Sequence, residues 1–412
     1  MRTPPRRPLS PEAAAILSAT GISRRSLMRG IVAGATFAAA GGVLAACGTK
    51  GTGKPGSAAQ PACTATDVSA TEKKVVFSNW PLYIDVDDKD ENKRPTLDAF
   101  AKNTGIATTY QEDINDNDEF FGKIRTQLGA CQNIDRDIIV LTDWMASRLV
   151  NLGWVQTFDK AKLTNFPKNL APGLQGRAWD KDMTHAAPWQ SGMTAFAYNA
   201  KVTSPIASID DLLTRPDLKG KVALLTEMND TMGLLLLSMG KDPSNFTDAD
   251  FDNALDKLKA AVSSSQIRKF TGNDYKEDLA KGDLAACMAW SGDVIQLATE
   301  NDKIKWVAPD SGVMLWSDNM LIPATSTHKA NAEMLIDYYY DPKVAAELAA
   351  WVNYICPVQG AQDEMTKIDP DLASNPLIFP DAATQSKAHG FMSLTEQQRT
   401  SYQQKFQQVI GA

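Results

Sequence analysis

The chain has 412 residues with 42 Lys+Arg against 49 Asp+Glu, 43% hydrophobic and 22% charged, enough for two globular domains with ordinary cores. A formal charge of -7 argues against a nucleic-acid partner, which needs a clustered basic surface, and favours a cationic one. His185, His328 and His389 lie far apart and the five cysteines include no C-x-x-C pair, so neither a zinc site nor another metal is expected.

Residues 1–46 read as a processed targeting segment. Arg24 and Arg25 stand in Ser-Arg-Arg-Ser-Leu-Met-Arg ahead of an Ala/Gly-rich apolar stretch, residues 31–46, which resembles a twin-arginine export signal. The stretch is shorter than the roughly 20 residues a spanning helix needs. It ends in Leu44-Ala45-Ala46-Cys47, similar to a bacterial lipobox, which implies cleavage before Cys47 and lipidation of its sulfur. Removing 1–46 takes away six Arg and Glu12, leaving 36 bases, 48 acids and a formal charge of -12. Residues 47–71 then read as a lipidated Cys and a flexible Gly/Thr/Ser/Ala/Pro tether, spanning roughly 25–30 Å as a coil. Cys63 falls in this tether, Cys131, Cys287 and Cys356 in the body, and all four are read as unpaired.

From residue 73 on, β-rich runs at 74–78, 137–141, 221–225, 285–289 and 313–315 alternate with helical patterns at 118–128, 144–152, 248–262, 292–300 and 330–340. That alternation predicts an α/β fold with a mostly parallel sheet. In 248–262, Phe251, Leu255, Leu258 and Val262 share one face, as on a surface helix packed against a core.

Each predicted strand is followed by aromatic or acidic residues: Trp80 and Tyr83; Thr142, Asp143 and Trp144; Glu227 and Asp230; Trp290 and Asp293; Trp316 and Asp318. Ligands of open α/β sheets bind outside the carboxyl ends of the strands, so these segments are candidates for one cleft. Indole and phenol walls with carboxylates at their ends suit an aliphatic di- or triamine. Four buried methylenes contribute about 3 kcal/mol. Cation–π contacts of about 2 kcal/mol and charged hydrogen bonds of about 1.5–3 kcal/mol add to that. The bland alternatives are packing for the tryptophans and surface or capping roles for the acids. Asp230 stands ahead of an apolar run as an N-cap candidate, compatible with ligand binding through its second oxygen, and for Asp143 and Asp293 capping is the preferred reading.

At these residues the sequence is similar to the spermidine/putrescine-binding proteins of bacterial ABC transporters. The resemblance spans about residues 74–410 and is carried by Phe77-Ser78-Asn79-Trp80 with Tyr83, by residues 159–166, by Ala289-Trp290-Ser291-Gly292, and by Leu315-Trp316-Ser317-Asp318 leading to Ile322-Pro323. It implies a two-lobed periplasmic binding protein fold of type II, each lobe a sheet flanked by helices. Lobe 1 would comprise residues 72–189 plus 318–364 and lobe 2 residues 190–317 plus 365–412. The lobes would close by hinge bending on a polyamine and deliver it to membrane permease subunits, as a monomer with no cofactor and no enzymatic activity. Trp80, Tyr83, Trp290, Trp316 and Tyr354 would form the aromatic walls, with Trp144 standing where the family commonly has Tyr. Thr142 would supply a hydroxyl, Glu227 and Asp230 an acidic pair reversed in order from the family's, and Asp318 the principal carboxylate. The last polar contact of the family has no counterpart around residues 391–398.

Two alternatives differ in class. A receptor of this fold for thiamine or a quaternary ammonium would need one carboxylate in the cleft, where a polyamine needs at least two. An exported hydrolase would need a nucleophile elbow or paired ligand-spaced histidines, and the sequence has neither.

Overall fold

The computed structural model describes residues 63–411 apart from Ala178. The export segment and Cys47 lie outside the described residues. In chain order the principal elements are β1 (Lys74–Asn79), α1 (Pro95–Thr104), β2 (Ala107–Glu112), α2 (Asn117–Gly129), β3 (Ile138–Thr142), α3 (Asp143–Asn151), β4 (Ala186–Asn199), β5 (Val222–Leu225) and α4 (Met228–Ser238). There follow α5 (Asp248–Ser263), β6 (Ile267–Thr271), α6 (Tyr275–Lys281), β7 (Ala286–Trp290), α7 (Ser291–Glu300), β8 (Ile304–Val307), β9 (Val313–Leu321), α8 (Lys329–Tyr338), α9 (Pro342–Val352), β10 (Ala388–His389) and α10 (Glu396–Ile410).

The strands run in the order β2-β1-β3-β9-β4-β7-β5-β6, with β8 on β4 and β10 on β9. The sheet is mixed where a mostly parallel one was expected. Parallel pairing holds at its flanks, β1 with β2 and β3, and β5 with β6 and β7, while β9 and β4 run antiparallel through the middle. The 14-residue β4 escapes a sequence pattern because it is buried on both faces and so lacks alternation.

The register of β4 and β9 divides the molecule. Ala186 to Gln190 face the half of β9 from Leu321 to Asp318, the half that pairs with β3. From Ser191 opposite Ser317 to Thr194 opposite Met314, β4 stays on the other half of β9, and from Thr194 onward it pairs with β7 and then β8. The two halves of the sheet thus meet at a pair of strands common to both. On one side Trp189 packs edge-on against Phe77 and Tyr339, at centroid distances of 5.3 and 4.7 Å. On the other, every residue of α4 from 228 to 237 is buried, which its Leu-rich sequence requires.

Two expectations fail at the N-terminal side. Cys63 and Cys131 form a disulfide across a sequence separation of 68. The segment expected to remain a tether up to residue 71 is also held down. Val68 N–H donates to the Thr327 carbonyl at 2.8 Å, the Ser69 hydroxyl accepts from Asn331 N–H at 3.2 Å, and Asn331 Nδ2 donates to the Glu72 carbonyl at 2.8 Å. Spacing alone cannot bring Cys63 beside the end of α2, because the approach is created by this docking on α8.

Candidate functional site

The carboxyl ends of β1, β3, β5 and β7 and the middle of β9 open into one cavity of about 330 Å³. All ten residues singled out from the sequence line it: Trp80, Tyr83, Thr142, Trp144, Glu227, Asp230, Trp290, Trp316, Asp318 and Tyr354. Five of the aromatics form a connected arc. Trp80 meets Trp290 at 6.3 Å between centroids, Trp290 meets Trp316 at 6.4 Å, Trp316 meets Tyr354 at 5.6 Å, and Tyr354 meets Tyr83 at 5.0 Å. Each indole is fixed by its N–H, Trp80 to the Val140 carbonyl (3.1 Å), Trp290 to Asp230 (3.0 Å) and Trp316 to Thr194 Oγ1 (2.9 Å). Their π faces are thereby set before any ligand arrives.

Two glycines make room for this arc. A Cβ on Gly192 would lie 2.4 Å from the Trp316 ring, and one on Gly292 2.4 Å from the Tyr354 ring. We expect Gly292→Ala to lower stability by about 1–3 kcal/mol in urea denaturation, because an aromatic wall would have to shift. Unchanged stability would show that the ring is not held against this backbone.

The three candidate carboxylates are all buried and none forms an ion pair among the described residues. Asp318, level with Thr142 on β3, accepts from the Thr142 hydroxyl at 2.7 Å, and burial pushes its pKa up to about 7. Asp230 accepts from the Trp290 indole, and burial raises it to about 6. Glu227 accepts from Asn117 N–H (3.1 Å) and Nδ2 (2.9 Å), yet burial and then the charges of Asp116 and Asp230 hold it well above the usual carboxylate range. Asn117 was not anticipated. It joins Glu227 to Thr142 Oγ1 at 2.9 Å, so one amide ties both sides of the cleft.

The capping readings need correction. Glu227 occupies the N-cap position of α4 without a side-chain cap bond, and Asp230 lies inside the first turn. Asp143 is likewise inside α3, bonded to Arg177 Nη1 (2.6 Å) and Asn319 Nδ2 (2.9 Å). Asp293 lies inside α7 and accepts from Tyr275 Oη (2.8 Å), Tyr354 Oη (2.9 Å) and Lys276 Nζ (3.2 Å). It therefore orients Tyr354 in the arc. In these three cases tertiary partners take the carboxylate that a local rule would have given to the backbone. Trp144 differs from the other aromatics in that a protein cation, Arg399, already lies over its ring.

One mixed sheet whose two halves share the β4–β9 pair, with a cleft lined from both halves, is the architecture of a two-lobed periplasmic binding protein fold. The chain belongs to the bacterial extracellular solute-binding protein family, which matches residues 96–380. It is 26% identical over 313 residues to the spermidine/putrescine-binding periplasmic protein of Salmonella typhimurium, covering 76% of this chain and 84% of that protein. It is 27% identical over 340 residues to the putrescine-binding periplasmic protein PotF of Escherichia coli, covering 78% and 86%. In fold it is similar to the substrate-binding protein PotD of Streptococcus pneumoniae, with a TM-score of 0.66 at 22% identity over 82% of this chain and 98% of that one.

Proposed function

We propose that this protein captures an aliphatic polyamine in the cleft and delivers it to the transmembrane subunits of an ABC transporter. The observation that carries this is a single cavity in which an arc of five aromatics meets three buried carboxylates that have no cationic partner among the described residues. Uncompensated buried acids are costly, and two ammonium groups linked by methylenes supply both the missing charge and apolar surface for the rings. The names of the polyamine-binding relatives support the same reading. Thiamine or a quaternary ammonium would satisfy the aromatics but leave at least one carboxylate unmatched.

Trp80, Tyr83, Trp290, Trp316 and Tyr354 form the walls in this reading. Asp318, positioned by Thr142, and Asp230 take the ammonium groups, and Glu227 closes the acidic end. Residues 72–189 plus 318–364 and residues 190–317 plus 365–412 act as the two lobes, with the hinge where Gln190 faces Asp318 and Ser191 faces Ser317. The protein is exported, cleaved before Cys47, lipid-anchored there on the outer face of the membrane, and works as a monomer. Among the described residues no helix is long and apolar enough to cross a membrane.

Isothermal titration of the purified protein with putrescine, spermidine, thiamine and betaine at pH 8 tests this. Micromolar or tighter binding of a polyamine, with no heat from thiamine or betaine, is the expected result. The reverse pattern would sink the proposal.

A further inference from the structure

The aromatic arc accounts for only part of the cavity. Another part of its wall comes from α3 and the start of α10, where Arg399 is 6% exposed with its guanidinium carbon 4.3 Å from the centroid of the Trp144 ring. Among the described residues its side chain has no carboxylate at ion-pair distance and no hydrogen-bond acceptor, and that ring is its close contact. Arg148, its neighbour in the cavity wall, is placed otherwise. It lies over Phe121 at 4.1 Å and pairs with Glu396 (3.3 Å) and Asp118 (3.8 Å). Asp118, Glu396 and Glu227 reach Arg399 only at longer range, and burial lowers the Arg399 pKa to about 10, so it remains a cation at neutral pH. A protein guanidinium therefore already holds a ring face of the kind that a ligand ammonium would seek.

We propose that Arg399, seated on Trp144, is a built-in length gauge that fills the place of a third ammonium, so that the cleft prefers an α,ω-diamine to a triamine. This deepens the polyamine reading and rests on it. The charge arrangement agrees. Asp118 and Glu396 already face two guanidinium groups. Glu227 is buried and crowded by Asp116 and Asp230, which hold it well above the usual carboxylate range, and its carboxylate already accepts two hydrogen bonds from Asn117. Asp230 and Asp318 are left as the two anions that a diamine can match. A third ammonium reaching the Trp144 side would meet Arg399, a like charge in a partly desolvated wall, and would have to displace it. Trp144 thus shapes the end of the cavity through Arg399.

The test is calorimetry of the purified protein at pH 8 with 1,3-diaminopropane, putrescine, cadaverine, spermidine and spermine, for wild type, Arg399→Gln and Arg399→Lys. Wild-type affinity is expected to peak among the diamines and to fall by about tenfold or more at spermidine. Arg399→Gln should shift the putrescine-to-spermidine ratio toward spermidine by about tenfold, and Arg399→Lys, which keeps a cation there, should hold the ratio near that of wild type. Wild type favouring spermidine, or a ratio unmoved in Arg399→Gln, overturns the gauge while leaving polyamine binding intact. Wild type binding none of the five amines overturns the polyamine reading and the gauge together. Should Arg399→Gln fail to fold, the wild-type series alone decides by whether affinity peaks at the diamines.

Discussion

Asp318→Asn is expected to weaken putrescine binding by about 2–4 kcal/mol, roughly 30- to 1,000-fold in Kd. The ligand ammonium would lose a charged hydrogen bond inside a site from which water is excluded, and the isosteric amide cannot neutralise it. Thr142 Oγ1 still has an oxygen to donate to, so the local geometry need not collapse. The unliganded protein should not lose stability at pH 8. Burial lifts the Asp318 pKa to about 7, which means that folding ionised Asp318 into the empty cleft is unfavourable, and Asn removes that cost. A large loss of affinity with an unchanged or raised Tm therefore separates a ligand contact from a structural one. Asp293→Asn is a poor control, because Asp293 holds Tyr275, Tyr354 and Lys276. Asp302, an exposed acid paired among the described residues with its neighbour Lys303 alone, serves better. Equal small losses in Asp318→Asn and Asp302→Asn would remove Asp318 from the site.

Polyamine affinity should also rise with pH between 5.5 and 8, by ten- to a hundredfold at order-of-magnitude level. In the empty cleft Asp230 titrates near pH 6 and Asp318 near pH 7, both lifted chiefly by burial. At pH 5.5 most molecules carry at least one of them protonated, and an ammonium must first drive that proton off. Binding near neutral pH thus releases protons, which titrations in buffers of different ionisation enthalpy detect. The same shifts fix the sign for stability. A carboxyl with a raised folded-state pKa favours the empty fold below its unfolded value near 4, and this contribution is lost as pH rises through 6 and 7. Ligand restores it, so the rise in Tm on adding putrescine should be larger at pH 8 than at pH 5.5. A Kd independent of pH across this range would show that neither carboxylate meets an ammonium.

Much of this site was legible in the sequence because sheet topology does the gathering. Trp80, Trp144 and Trp290 each stand at or just beyond the end of a strand, and residues in that position converge once the strands pack side by side. The acids at 227 and 230 follow the same logic, whereas Trp316 and Asp318, expected beyond a strand ending at 315, lie inside β9, which runs on to Leu321 and carries them past the cleft. Asn117 and Arg399 carried no comparable signal. Asn117 sits at the start of a helix and Arg399 inside one, and only the approach of distant segments makes one a bridge between Glu227 and Thr142 and the other a cover for Trp144. The roles of Asp143 and Asp293 were misread for a related reason. A capping rule considers only the nearest backbone N–H groups, and in the folded chain Arg177, Tyr275 and Tyr354 are better donors to those oxygens.

The sequence by itself determined the α/β alternation and four strand ends that carry rings and acids, because each is encoded in local periodicity or in residue type at short spacing. The tertiary structure alone decided the antiparallel crossing of β4 and β9, the pairing of Cys63 with Cys131, the burial that lifts Asp230 and Asp318, and the seat of Arg399. Each of these depends on which remote surfaces come into contact and how much water they exclude. Residue order constrains that only through the packed whole.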